Sequence, residues 1–377
     1  MTKTIQVFKP FFRTDEVLDS IRDCLEKGWT GIGYKTEEFE AKWKEYSGLK
    51  NCHFLNSATS GLHLAVRIFK YEHGWQDGDE IITTALTFVS TNHAILYENL
   101  TPVFADVDKS LCLDPSSVEK MITKKTKAVI YVGIGGNAGN YRAIADVCNK
   151  NNLVLILDAA HMSGTKWKDT GNHVGQEADC AVFSFQAVKN CPSADAGAIC
   201  FKDDRLDKTA RKLSWLGIDK STFDRYSEQS YKWRYDVSEV GYKYHGNSVI
   251  AAICLVSLKY LDEDNKRRRE IAKKYTDLIK PGSGMEVITH ADDIVSSRHL
   301  FQIATDSRDS LIEDLARKSI FCGVHYIENT KYKIYDSFKS DLSTTKYYSE
   351  KLISLPLHLH LDESDLEHII SNLNIHE

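Results

Sequence analysis

The chain has no CxxC pair and no histidine cluster at metal-ligand spacing around any cysteine, which argues against a structural zinc site or a dithiol redox motif. No apolar run approaches the length needed to cross a bilayer, and the start, MTKTIQVFKPFF, lacks the long apolar segment of a secretory signal. A cytoplasmic protein with no membrane partner is therefore expected. A strong charge of either sign is missing too: a net charge of -5 leaves no global attraction to nucleic acid or acidic membranes. The one dense basic run, KRRRE at 266–270, lies in a helical stretch and reads as a solvated face. The 9 cysteines are odd in number, and Cys180, Cys200 and Cys254 sit inside apolar runs, so buried reduced thiols are predicted rather than a disulfide framework. HLH at 358–360 alternates with Leu357, Leu359 and Leu361, which predicts an exposed strand edge and no metal. Internal repeats and low-complexity linkers are also absent.

What is present is alternation. From residue 50 to about 200, short apolar runs (CHFL, EIITTA, TPVFADV, KAVIYVG, LVLILDAA, DCAVFSF, AGAICF) are separated largely by helical segments. That pattern predicts an α/β fold whose mostly parallel sheet is sandwiched by helices, with chemistry at the carboxyl ends of the strands. After Asn247 come a long helical stretch to about Leu278, a strand at RHLFQIATD, a helix with Leu311 and Leu315 on one face, and a last helix opened by a capping box at Ser364 and Glu367. The prediction is a large domain over 1–245 and a smaller α+β C-terminal domain over 246–377.

Three places converge on one chemistry. In HFLNSATSGLHLAV, a strand runs into Ser57, Ala58 and Thr59 at a helix start, where free backbone N–H groups can hold a phosphate. In LVLILDAAH, an apolar strand ends in Asp158, with His161 three residues on; a buried carboxylate there needs a cation or hydrogen-bond donors. In AVFSFQAVKN, a buried strand ends in Lys189, 31 residues beyond Asp158. A phosphate cradle, a buried aspartate and a strand-end lysine are what a pyridoxal phosphate enzyme needs. The amine forms a Schiff base, the aspartate keeps the pyridine nitrogen protonated, and Phe88 in TFVST can stack on the ring. The rival is VGIGGNAG, where Gly133, Gly135 and Ala138 match GxGxxA with Asp158 about 20 residues beyond, the spacing of an NAD-binding fingerprint. Against it, Gly136, Asn137, Gly139 and Asn140 disfavour a helix start before Asn140.

These residues also resemble a family. GWTGIGYKTEEFEAKW, NSATSGLHLAV, TFVSTNHAIL, TPVFADVD, LDAAHMSGT, FSFQAVKN, VGYKYHGNSVIAA, RHLFQI and GVHYI follow one another as in the DegT-type nucleotide-sugar aminotransferases, enzymes with the aspartate aminotransferase fold. The resemblance implies Lys189 as the Schiff-base lysine, Asp158 as the pyridinium partner, His161 beside the cofactor's phenolic oxygen and Phe88 as the stacking ring. It further implies Ala58, Thr59 and Ser184 as phosphate ligands, joined by Lys243 from the second chain of a homodimer. The activity implied is amino transfer, by a ping-pong route, from an amino acid such as glutamate to a nucleotide-linked keto-deoxy sugar, for polysaccharide or O-antigen synthesis. Lys243 stands where the family more often has Asn, Gln186 where His is frequent, and SADAG where a GEGG-like loop is usual. These departures bear on the sugar and leave the cofactor groups intact. Two other readings of the same site are a sugar dehydratase and a non-catalytic cofactor-binding sensor.

Overall fold

The computed structural model describes residues 3–219, 235–279, 283–338 and 340–373. In chain order the strands are β1 (His53–Leu55), β2 (Glu80–Thr84), β3 (Thr101–Ala105), β4 (Thr126–Val132), β5 (Val154–Asp158), β6 (Lys166–Trp167), β7 (Cys180–Ser184), β8 (Gly197–Phe201), β9 (Met285–Val287), β10 (Ile294–Val295), β11 (Phe301–Thr305) and β12 (Leu352–Leu355). The seven apolar runs of the first half become one sheet in the order β1-β8-β7-β5-β4-β2-β3. Every neighbour pair is parallel except the two that involve β8.

Alternation along each strand serves two cores. Ile81, Ile130, Ile156, Val182 and Ile199 face one side, with Leu62 and Phe69 of α3 (Ala58–Glu72). Ile82, Tyr131, Leu157, Phe183 and Ala198 face the other, where they meet Phe39 and Trp43 of α2 (Tyr34–Ser47). Covered on both sides, the strands carry apolar residues at nearly every position, which is why they stand out as continuous runs. Their parallel arrangement brings the ends at Thr84, Val132, Asp158 and Ser184 to one edge of the sheet.

A second, antiparallel sheet in the order β12-β11-β9 packs Phe301, Ile303 and Ile353 with Ile271, Tyr275 and Ile369. The start of the chain joins it: Ile5 bridges Ile320 and is buried in the same core. The helical stretch after Asn247 is two helices, Ser248–Lys259 and Leu261–Leu278, and the first packs on α2 and on the helix Thr14–Glu26. Among the described residues no helix is long and apolar enough to cross a membrane. All nine cysteines are free, and Cys180, Cys200 and Cys254 are buried.

Three local expectations are corrected. The basic run is not a solvated face: Arg268 is 6% exposed and donates to Leu357 O, while Arg269 donates to Ser296 O. Long stems and forked donors let arginine tie a helix to neighbouring carbonyls. HLH is a turn rather than a strand edge, with His358 Nε2 on Gln6 O and His360 Nε2 on Pro10 O, both at 3.1 Å. The last helix, Glu363–Leu373, is capped two residues earlier than expected. Asp365 N–H donates to Asp362 Oδ1 and Asp362 N–H to Asp365 Oδ2, because the shorter carboxylates already close the box.

Candidate active site

The strand ends open on a cavity of about 410 Å³ lined by Ala58, Thr59, Phe88, Asp158, His161, Ser184 and Lys189. Seven of the eight residues singled out from sequence are thus brought together. The eighth, Lys243, is exposed, lies outside this lining, and holds its Nζ 3.5 Å from the ring centre of Trp215.

Each side chain is set by a local device. The α3 helix starts at Ala58 because Ser57 caps it, its hydroxyl accepting from Ser60 N–H at 3.1 Å. The turn lies directly against β8: a Cβ on Gly197 would stand 2.5 Å from Ala58 N and Ser57 C, so glycine lets the helix start approach the sheet. Lys189 is not at the strand end itself. β7 stops at Ser184, and the chain then turns back so that Lys189 N–H donates to Gln186 O, placing the amine over the strand ends. Among the described residues Lys189 Nζ has no hydrogen-bond or ion-pair partner.

Asp158 accepts from Thr91 Oγ1 at 2.8 Å and from Ala160 N–H at 3.1 Å. Burial raises its pKa against the pull of those donors and of Lys189. Burial in turn brings the Lys189 ammonium down to about 8, with Asp158 opposing. Both groups are displaced toward neutrality, so desolvation outweighs their mutual attraction, and no ion pair joins them. His161 is held neutral by burial, then by the charge of Lys189. Its Nδ1 accepts from Gly135 N–H at 3.1 Å, so its proton resides on Nε2, which faces Tyr326 Oη at 3.3 Å. That contact also accounts for the glycine loop. Gly135, at φ +64°, turns its N–H onto His161, and the helix after the loop starts only at Tyr141, which removes the dinucleotide fingerprint's phosphate site.

Several site residues carried no assigned role at the level of sequence. His299, His325 and Tyr326 close the cavity from the second sheet's side, and Phe8 stacks on His299 at 5.4 Å between ring centres. His299 Nδ1 donates to Asn190 Oδ1 at 2.9 Å, since both Asn190 amide protons go to Asn265 Oδ1 and Ser297 O. Their signal was polar residues inside apolar runs, RHLFQI and GVHYI, but long-range contact alone brings them to Lys189. A larger hollow of about 500 Å³ lies elsewhere, lined by Glu40, His53 and Arg211. Those three side chains are already partnered, Arg211 with Glu40 and Asp207, and His53 with Glu40, so the partnerless buried lysine marks the smaller cavity as the candidate site.

Comparison with known proteins identifies the family. Residues 13–374 match the model of the DegT/DnrJ/EryC1/StrS aminotransferase family. The chain is 32% identical over 367 residues to the spore coat polysaccharide biosynthesis protein SpsC of Bacillus subtilis, covering 94% of this chain and 92% of that one. Among solved structures it is similar to the aminotransferase TlmJ from Streptoalloteichus hindustanus (TM-score 0.90, 29% identity, 99% and 98% covered). It is also similar to Helicobacter pylori PseC, an aminotransferase involved in pseudoaminic acid biosynthesis (TM-score 0.90, 25% identity, 98% of each chain). Spr1654 from Streptococcus pneumoniae, solved in a PMP form, superposes with a TM-score of 0.89 at 28% identity over 97% of this chain and 98% of that one. With a family match that spans nearly its whole length and a cavity built around an unpaired lysine and a buried aspartate, this chain belongs to the DegT/DnrJ/EryC1/StrS aminotransferase family.

Proposed function

We propose that the chain is a pyridoxal phosphate-dependent sugar aminotransferase that moves an amino group from an amino acid, glutamate, to the keto group of a nucleotide-linked deoxy sugar, by a ping-pong route. The observation that carries this reading is the partnerless Lys189 amine facing buried Asp158 across a cavity whose far wall is the capped start of α3. The donor set fits the cofactor: helix-start N–H groups for a phosphate, a carboxylate for a ring nitrogen, and an aromatic face at Phe88. When bound, the cofactor supplies a carbonyl that amines attack and a ring that takes up electron density.

The chain's own groups do the rest. Lys189, its pKa near 8, is in part a free amine at neutral pH and serves as covalent anchor and as the base that takes and returns the proton at the substrate's alpha carbon. Asp158, steadied by Thr91 and Ala160, would hold the ring nitrogen and keep it protonated. His161 would offer Nε2–H to the phenolic oxygen. Phe88 would stack on the ring, while the N–H groups of Ala58 and Thr59 and the hydroxyl of Ser184 would hold the phosphate. The proposal includes a homodimer in which Lys243 of the partner subunit reaches that phosphate, a division of the chain at 245/246, and work in the cytoplasm for polysaccharide or O-antigen synthesis.

The test is the visible absorption spectrum of the purified protein, with and without glutamate, beside Lys189→Ala. The wild type should show a lysine-bound cofactor band that glutamate discharges, and the variant should lack it. A protein that takes up no pyridoxal phosphate sinks the reading.

A further inference from the structure

The wall of the cavity that carries Phe88 is tied to the loop that carries His325 and Tyr326 through two buried amides. Asn92 and Asn329 are both 0% exposed, and the side chains of both are hydrogen-bonded. Asn92 Oδ1 accepts from Thr83 Oγ1 at 3.1 Å, and its amide donates to Thr84 O at 3.1 Å and to Asn329 Oδ1 at 2.8 Å. Asn329 donates its own amide to Thr87 O at 2.8 Å and its backbone N–H to Ala85 O at 2.8 Å. The 84–87 turn is thereby held at three carbonyls, immediately before Phe88.

A hydroxyl relay runs on from the same turn. Thr91 gives its one proton to Asp158 Oδ2, so in its 3.0 Å contact with Thr87 the donor is Thr87 Oγ1. Asn329 thus holds the backbone carbonyl of Thr87, and the hydroxyl of the same residue leads through Thr91 to Asp158. On the other side, Tyr326 lies three residues before Asn329, with its ring 6.1 Å from that of Phe88.

We propose that the Asn92–Asn329 amide pair is a positioning lock. It fixes the ring of Phe88 and, through Thr87 and Thr91, the carboxylate of Asp158, and it holds Tyr326 in register with both. Neither asparagine lines the cavity, so the pair acts on bound cofactor through other residues. This inference rests on the pyridoxal phosphate reading above.

The test uses full-length wild type, Asn329→Leu and Asn329→Asp, each loaded with pyridoxal phosphate. Leucine keeps the branched outline at a larger volume and removes the amide, whereas aspartate keeps the shape and turns the donor toward Thr87 O into an acceptor. The readouts are the visible circular dichroism of the bound cofactor, the pH midpoint of its absorption band, and its dissociation constant. Each variant should lose about half of the dichroism, move the pH midpoint and bind cofactor about tenfold more weakly, with far-UV dichroism retained. Should Asn329→Leu fail to fold, Asn329→Asp gives the same readout. Variants that melt earlier while dichroism and pH midpoint stay at wild-type values overturn the lock and leave a packing role. A wild type with no cofactor band overturns both this inference and the reading beneath it, whereas a normal wild type with unmoved variants overturns the lock alone.

Discussion

Burial brings the Lys189 ammonium down to about 8 from an ordinary 10.5, while Asp158 across the cavity pulls the other way and does not win. Below pH 8 the lysine is charged in both folded and unfolded chains, and the folded state bears the whole desolvation cost. Between 8 and 10.5 only the unfolded chain keeps the proton, so this group makes stability rise with pH across that window and adds nothing further above it. Replacing Lys189 by Met removes the titration. The unfolding free energy of the cofactor-free wild type, measured against Lys189→Met, should therefore gain up to about 3 kcal/mol over the window, less to the extent that Lys189 is open to the cavity. Uptake of pyridoxal phosphate, which needs the free amine, should speed up through the same pH of about 8. A stability difference that stays flat from 8 to 10.5 would refute the assignment of a desolvated lysine.

Among elements, the join between β8 and the start of α3 is where packing meets binding. A Cβ at Gly197 would meet backbone atoms at 2.5 Å, which cannot rotate away, so Gly197→Ala must push the capped turn off the sheet. The expected result is a loss of about 1–3 kcal/mol in stability together with weaker cofactor retention on dialysis. Gly31→Ala, where nothing lies within 4 Å, is the control and should change neither. The same elements show what could be read beforehand. All seven strands of the large sheet were legible, because strands covered on both faces are apolar at nearly every position and end at polar residues such as Asp158 and Ser184. The small and hydroxyl run Ser57–Ala58–Thr59 placed the helix start from Thr59, one residue late, since Ser57 is the cap and the helix begins at Ala58. The histidine wall was not, since His299 and His325 reach Lys189 through long-range packing that no local period encodes. The arginine run was misread for a related reason: Arg268 looks solvated by composition, and the arrival of Leu357 O at its guanidinium, with the charge of Asp264 nearby, makes burial tolerable. Lys189 was found by residue type and surroundings, but the turn that carries it beyond the strand depends on its own Gln186 O contact.

For the whole molecule, the question is how one cavity balances a phosphate. Among the described residues that line it, one lysine, Lys189, stands against two acidic side chains, Asp158 and Asp195, with the histidines held neutral by burial. A phosphate bringing about two negative charges would find too little positive charge within one chain, and Lys243 of the same chain stands over Trp215 instead. The proposed homodimer meets this by exchanging Lys243 between subunits, and that exchange has a consequence a single-chain site cannot imitate. Lys189→Ala and Lys243→Ala should each be impaired alone, the first completely and the second through weaker cofactor binding. When the two variants are unfolded, mixed and refolded together, each mixed dimer has one site that draws Lys189 from one chain and Lys243 from the other. With random pairing, half of the dimers are mixed and half of their sites are complete, so activity at limiting cofactor should climb to about a quarter of the wild-type value. If Lys243 served its own chain's cavity, or no cavity, every site in the mixture would lack one of the two lysines or be indifferent to Lys243. Mixing would then only average the parents, and the exchange would have to be abandoned.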